Sequence, residues 1–128
     1  MTTRADGVHA ALRRMLANGP LTALPKRAAD QQLIARLAAS QLVPERDYRE
    51  KEVNEALLRW LATFVAPHGI DHVTVRRMLV DLRLLLRDKA GTTYRLNQRR
   101  TSRVNADPAR VLADMAAERG RRKAQHAA

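Results

Sequence analysis

Guanidinium is the commonest reactive group along residues 72–96, HVTVRRMLVDLRLLLRDKAGTTYRL. Arg76 and Arg77 stand early in a helical pattern, close to the hydroxyl of Thr74. Arginine pairs bidentately with guanine and binds phosphate well, so a helix carrying this pair can read a duplex if it enters the major groove. Farther on, Arg87, Lys89, Thr92, Thr93 and Arg95 fall on a stretch with turn chemistry, where they can follow a phosphate backbone as a wing does. Arg99, Arg100 and Arg103 in NQRRTSRVN, and the cluster RGRRK at 119–123, have the composition of flexible arms. Such arms add salt-sensitive, sequence-independent affinity for DNA or RNA. Each group also has a plainer use: Arg76 can lay its stem along the core and pair with Glu50, Glu52 or Glu55. The hairpin and tail charges can serve solubility alone.

Other chemistries find little support. His68, Asp71 and His72 are near one another, but Gly69 separates them and no fourth ligand is close, so a turn and a helix cap account for them and no metal is expected. There is no Gly-rich phosphate loop, no isolated acid pair and no nucleophile with a base at a known spacing. Neither an enzymatic activity nor a cofactor is expected. The absence of cysteine excludes disulfides and thiolate metal sites. Stacking of RNA bases is poorly served, because Trp60 and Phe64 belong to an apolar stripe and only Tyr48 and Tyr94 remain.

Charge is unevenly spread over the 128 residues, which carry a formal +11. Residues 1–70 hold ten bases and seven acids, whereas residues 71–128 hold fourteen and six, or +8. A basic half of this kind suits a phosphate-rich partner, and an arginine-favouring genome would also produce it. The stretch MTTRADGVHAALRRMLANG has charges where a signal peptide needs its apolar run, and no later run approaches membrane-spanning length. A soluble, cytoplasmic protein is expected.

The elements that must position these groups follow from periodicity. Val8, Ala11, Leu12, Met15 and Leu16 mark a first amphipathic helix from Asp6, which Asn18, Gly19 and Pro20 stop. Pro25 suits the first turn of a second helix, whose stripe of Ala29, Leu33, Leu37 and Ala38 runs to about Leu42. A third starts at Tyr48, with Val53, Leu57, Trp60, Leu61 and Phe64 on one face and Glu50, Glu52 and Glu55 near its positive end. Asp71 caps a fourth, with Val75, Met78, Leu79, Leu82, Leu85 and Leu86 facing the core. Opposite lie Val73, Val80 and Leu84, an apolar stripe that needs a cover. Asp88 to Gly91 then turns a hairpin, and Asp107, Pro108 and Gly120 cap, open and close a last short helix before a disordered tail, RRKAQHAA.

Helix, helix, helix, hairpin is the order of a winged helix-turn-helix. The stretches PLTALPKR (20–27), YREKEVNEAL (48–57) and TVRRMLVDLRLLLRDKAGTTYR (74–95) resemble a bacterial family known only as a domain of unknown function. That family occurs alone or fused to ArsR-type helix-turn-helix regulators, with a pattern of Tyr-x-Glu-x-Glu-Val-Asn, Thr-Leu-Arg-Arg-x-Leu-Val and Asp-x-x-Gly-x-x-Tyr-x-Arg. It maps onto Tyr48, Glu50, Glu52, Val53 and Asn54, then Thr74, Arg76, Arg77, Leu79 and Val80, then Asp88, Gly91, Tyr94 and Arg95. The resemblance implies a winged-helix-like fold and association with transcription regulators. Arg49 replaces the family's usual Thr or Ser, so a side-chain cap there is missing or comes from Asp47. The turn VAPHGI also differs from the family's acidic, aromatic one.

The expected molecule is therefore mainly α: an N-terminal amphipathic helix (1–20), a winged-helix-like domain with a small C-terminal β-hairpin (21–97), and a basic linker, short helix and disordered tail (98–128). The expected function is non-enzymatic binding of duplex DNA by a regulator or accessory factor. A protein-interaction module docking through Val73, Val80 and Leu84 is the alternative. A homodimer is expected to bury the stripes of the first and fourth helices, unless those stripes satisfy each other within one chain.

Overall fold

The computed structural model describes residues 4–127, with side-chain surroundings described for residues 7–126. Residues 1–3 of the predicted N-terminal segment and residue 128 of the predicted tail lie outside it. Five helices and three short strands follow in order: α1 (Arg4–Met15), α2 (Ala28–Ala39), β1 (Tyr48–Arg49), α3 (Glu50–Leu61), α4 (His72–Asp81), β2 (Leu85–Arg87), β3 (Thr93–Leu96) and α5 (Pro108–Ala127). The strands form one antiparallel sheet in the order β1-β3-β2, with Tyr48 opposite Tyr94 and Leu85 opposite Leu96. None of the described helices is long and apolar enough to cross a membrane.

The apolar periodicity of α3 is realised as the centre of the core. Val53, Leu57, Trp60 and Leu61 are buried, and Trp60 meets Phe64 edge-on with ring centroids 4.7 Å apart, a favoured aromatic geometry. Leu33, Ile34 and Leu37 of α2 and Val75 and Leu79 of α4 belong to the same cluster, with Tyr94 and Leu96 of the sheet. The turn PHG after α3 lies against Leu21, which bonds Phe64 and Ala66 through its main chain. A Cβ on Gly69 would sit 2.8 Å from the Leu21 carbonyl oxygen, so only glycine permits this approach.

Several sequence expectations are corrected. α2 begins at Ala28 rather than at Pro25, whose carbonyl instead accepts the Gln31 side-chain amide at 2.7 Å. Tyr48 is extended and pairs with β3, because its ring is buried and its hydroxyl accepts the Val43 N–H at 2.7 Å; α3 starts two residues later. There Glu52 accepts the Arg49 N–H at 3.0 Å, the half of a capping box that survives when the cap residue has no acceptor. Asp47 does not cap, since Arg95 holds its carboxylate at 2.9 Å.

α4 ends at Asp81 instead of running to Leu86. Arg83 takes the left-handed conformation (φ 62), its N–H bonds Val80 O at 3.0 Å, and the Leu84 N–H reaches back to Leu79 O at 2.9 Å. These are the two bonds of a Schellman motif, whose usual apolar contact between the residues at its two ends explains why Leu84 is 6 % exposed beside Leu79. The stripe Val73, Val80, Leu84 therefore does not exist as one face: Leu84 is in the core, and Val73 and Val80 are half-buried. Leu86, assigned to the core face by the helical pattern, is 44 % exposed on β2.

The tail expected to be disordered continues α5 through Gly120 to Ala127. Nothing after Gly120 removes a backbone donor, and Glu118 and Arg119 anchor the turn before it on α1 and the residues just after α1. Arg13 bonds both oxygens of Glu118 at 3.2 and 2.8 Å, and Arg119 bonds the Ala17 carbonyl at 3.1 Å. Asp107 caps this helix as its sequence predicts, accepting the Ala109 N–H at 3.0 Å. Val111 of α5, Leu12 of α1 and Leu16 just after it are buried in the common core, with Val8 and Met15 packed against it. The first helix thus finds its cover within the chain.

Arg14 ties α1 to α2 by donating to both oxygens of Asp30 at 3.0 and 2.6 Å. These bonds hold the buried Asp30 below its ordinary value of 3.8, and the Arg14 charge adds to them. A depressed carboxylate contributes stability that is complete above the unfolded value and lost as pH falls through the folded one. Below about pH 4 the urea midpoint of the native chain is expected to fall more steeply than that of Asp30→Asn; parallel curves would remove the ion pair from the acid transition. Arg83→Gly is expected to raise the urea midpoint. The ~1–2 kcal/mol of left-handed strain exceeds glycine's ~0.5–1 kcal/mol entropic cost, for a net gain of roughly 0.5–1 kcal/mol.

Candidate nucleic-acid interface

α3 and α4 pack together, and the two arginines at the start of α4 part company there. Arg76 is 11 % exposed: its guanidinium donates to Asn54 Oδ1 and lies 3.1 Å from Glu50 Oε1, both on α3. It is a strut between the two helices. Of its possible acidic partners the structure selects Glu50, while Glu52 bonds Arg46 and the Arg49 backbone. Arg77, one residue on and a hundred degrees around the helix, is exposed. Thr74 is also exposed, with its hydroxyl directed to Asp71 Oδ2 at 3.4 Å. Asp71 and Asp81 share this outward face, so α4 presents one cation between two acids.

The hairpin turn is built around Asp88. Its carboxylate accepts the Thr92 N–H at 2.7 Å, the Thr92 hydroxyl at 2.8 Å and the Thr93 N–H at 3.2 Å. The Thr92 hydroxyl bond, then the Thr93 and Thr92 amides, hold its pKa below the ordinary range. Gly91 supplies the positive φ of 72 that closes the turn. Thr92 therefore spends its amide and hydroxyl, and Thr93 its amide, inside the hairpin, whereas Arg87 and Lys89 are exposed and form no ion pair among the described residues. Arg95 is exposed but paired with Asp47. Exposed pairs of that kind contribute at most about 1 kcal/mol, so a phosphate can displace the carboxylate.

Sequence reasoning missed the residue that organises the segment after β3. The Asn97 N–H bonds Leu84 O at 3.0 Å and its side-chain amide bonds Arg83 O at 2.8 Å. Its own carbonyl accepts the Arg100 and Thr101 N–H groups at 3.0 Å, and its Oδ1 accepts the Arg99 N–H at 3.3 Å. An Asn directly after a strand is the available signal, since its side chain mimics a backbone turn. Arg83, Arg99 and Arg100 consequently leave a fixed turn at the hairpin base, all exposed. Arg103 is not part of this group: it precedes Val104, whose N–H bonds Ser40 Oγ at the end of α2, 3.2 Å away. In the RGRRK cluster, Arg119 is held to the Ala17 carbonyl just past α1, and Arg121, Arg122 and Lys123 are exposed on α5.

The class so defined is a mainly helical domain with a small three-stranded antiparallel sheet and a basic hairpin. The model of the family described as "Uncharacterized protein conserved in bacteria (DUF2087)" matches residues 20–96, more than half of the chain, and the protein belongs to that family. The match starts just before α2 and stops at the end of β3, leaving α1 and α5 outside. No match was found among curated proteins or solved structures.

Arg76→Ala is expected to cost ~1–3 kcal/mol in urea unfolding, because it strands Glu50 and Asn54. Arg77→Ala is expected to stay within about 0.5 kcal/mol of the native chain. Equal losses would show that Arg77 is also structural.

Proposed function

We propose that the protein is a non-enzymatic DNA-binding protein of the winged helix-turn-helix type, serving as a transcriptional regulator or accessory factor. The observation that carries this reading is topological. The order α2–β1–α3–α4–β2–β3, with β3 between β1 and β2, is compatible with a winged helix in which α4 is the recognition helix and the β2–β3 turn the wing. Duplex DNA is the proposed partner. Thr74 and Arg77 would face the groove, and Arg87 and Lys89 would lie along the backbone. Arg99 and Arg100 would grip the adjoining phosphates, while Arg95 would exchange Asp47 for one. Because Asp71 and Asp81 flank Arg77, phosphate contacts from the hairpin and the Asn97 turn would supply most of the affinity.

Binding of a mixed-sequence duplex, followed by fluorescence anisotropy, is expected to weaken at least tenfold between ~50 and ~200 mM salt. Replacing both Arg99 and Arg100 with alanine is expected to make the log–log salt slope shallower by about 2. Salt-independent binding, or none at low salt, overturns the proposal.

A further inference from the structure

The geometry points to a binding site for a small amphipathic carboxylate in a cavity between α1, α2 and residues 102–105. The cavity has a volume of about 640 Å³, within the ~300–1,000 Å³ typical of small-molecule sites. No residue of α3, α4 or the hairpin lines it among the described residues, so the site is independent of the proposed DNA-binding surface.

Two helical stripes make the walls. Gly7, Ala11 and Arg14 recur at four- and three-residue steps on α1, and Ala29, Leu33 and Arg36 do the same on α2. The small residues at the start of each stripe leave the space: a Cβ on Gly7 would meet nothing within 4 Å. The third wall is the segment held to Ser40 through Val104. Val8, Ala11, Leu33 and Val104 make the apolar part of the lining.

Charge selects the ligand. Among the described residues, Arg14, Arg27, Arg36 and Arg103 line the cavity against a single acid, Asp30. Both oxygens of that acid are taken by Arg14, and Arg27, Arg36 and Arg103 form no ion pair among the described residues. Arginines beside a low-dielectric surface concentrate anions, and their fork geometry favours a carboxylate taken bidentately. An apolar body against Leu33 and Val104 with a carboxylate at the arginines uses both features. A neutral molecule uses only one, and a cation is repelled.

The test is a titration of the full isotope-labelled chain, followed by amide NMR shifts, with naphthoate and with its neutral counterpart naphthalenemethanol. Naphthoate is expected to give saturable shifts at Ala11, Ala29, Leu33 and Val104 and to bind at least about tenfold more tightly than the alcohol. The double variant Arg36→Gln, Arg103→Gln is expected to bring naphthoate down to the affinity of the alcohol. Ala29→Trp, which fills the space from an exposed position, is expected to abolish the shifts without lowering Tm; Ala11→Leu serves the same purpose if the larger residue unfolds the chain. Equal affinity for the two probes, shifts centred elsewhere, or no saturable binding overturns the site. Loss of duplex binding by the double variant, with no response to naphthoate, would reassign these arginines to nucleic acid.

Discussion

The structure from Leu79 to Leu96 depends on one left-handed residue that carries a side chain. At Arg83 the chain leaves α4, and the Leu84 N–H closes on Leu79 O so that Leu84 drops into the core. With that exit fixed, Leu85 falls inward and Leu86 outward, and β2 meets β3 in the register that sets Tyr94 opposite Arg87 and also opposite Tyr48. One more helical turn would rotate Leu84 outward and leave no strand for the hairpin. Asn97 fastens the same point from the far side by bonding both Arg83 and Leu84. The basic hairpin and the turn bearing Arg99 and Arg100 are both consequences of how α4 stops.

A single residue type does several jobs here, and burial separates them. Arg76 joins α3 to α4, Arg14 neutralises a buried aspartate, and Arg13 clasps α5. Arg77, Arg87, Arg99 and Arg100 point to water. Each of these pairs sets one base against one acid and leaves the formal +11 intact; the excess is carried by exposed cations at the hairpin, the Asn97 turn, the α1–α2 cavity and the end of α5, while α4 presents Arg77 between Asp71 and Asp81.

Much of this was legible in the sequence wherever the signal was periodic. The stripe from Val53 to Phe64, the Asp88–Gly91 turn and the Asp107 cap all lie where spacing and turn chemistry put them. Misreadings arose where a long-range contact outweighed a local preference. Helix stops are recognised by glycine or asparagine, and Arg83 is neither. Tyr48 has a helical neighbourhood but is drawn into a strand by burial of its ring and by Val43. Gly120 would close an isolated helix, yet α5 passes through it next to its anchors on α1. In the candidate site, Arg76 and Arg77 are indistinguishable as text, and only the packing of α3 on α4 tells a strut from a free cation.

The clasp between α1 and α5 also sets an order of events during biosynthesis. Arg13 and Glu118 are 105 residues apart, so α1 leaves the ribosome long before the helix that covers one of its sides. At ~5–20 residues per second that interval is on the order of 5–20 s, ample for the span from α2 to β3 to collapse first. Loop closure over so long a stretch is entropically slow in a free chain but nearly complete once the intervening segment is compact. Arrival of α5 is then a late docking step that seals a nascent core whose first helix has been waiting half-covered.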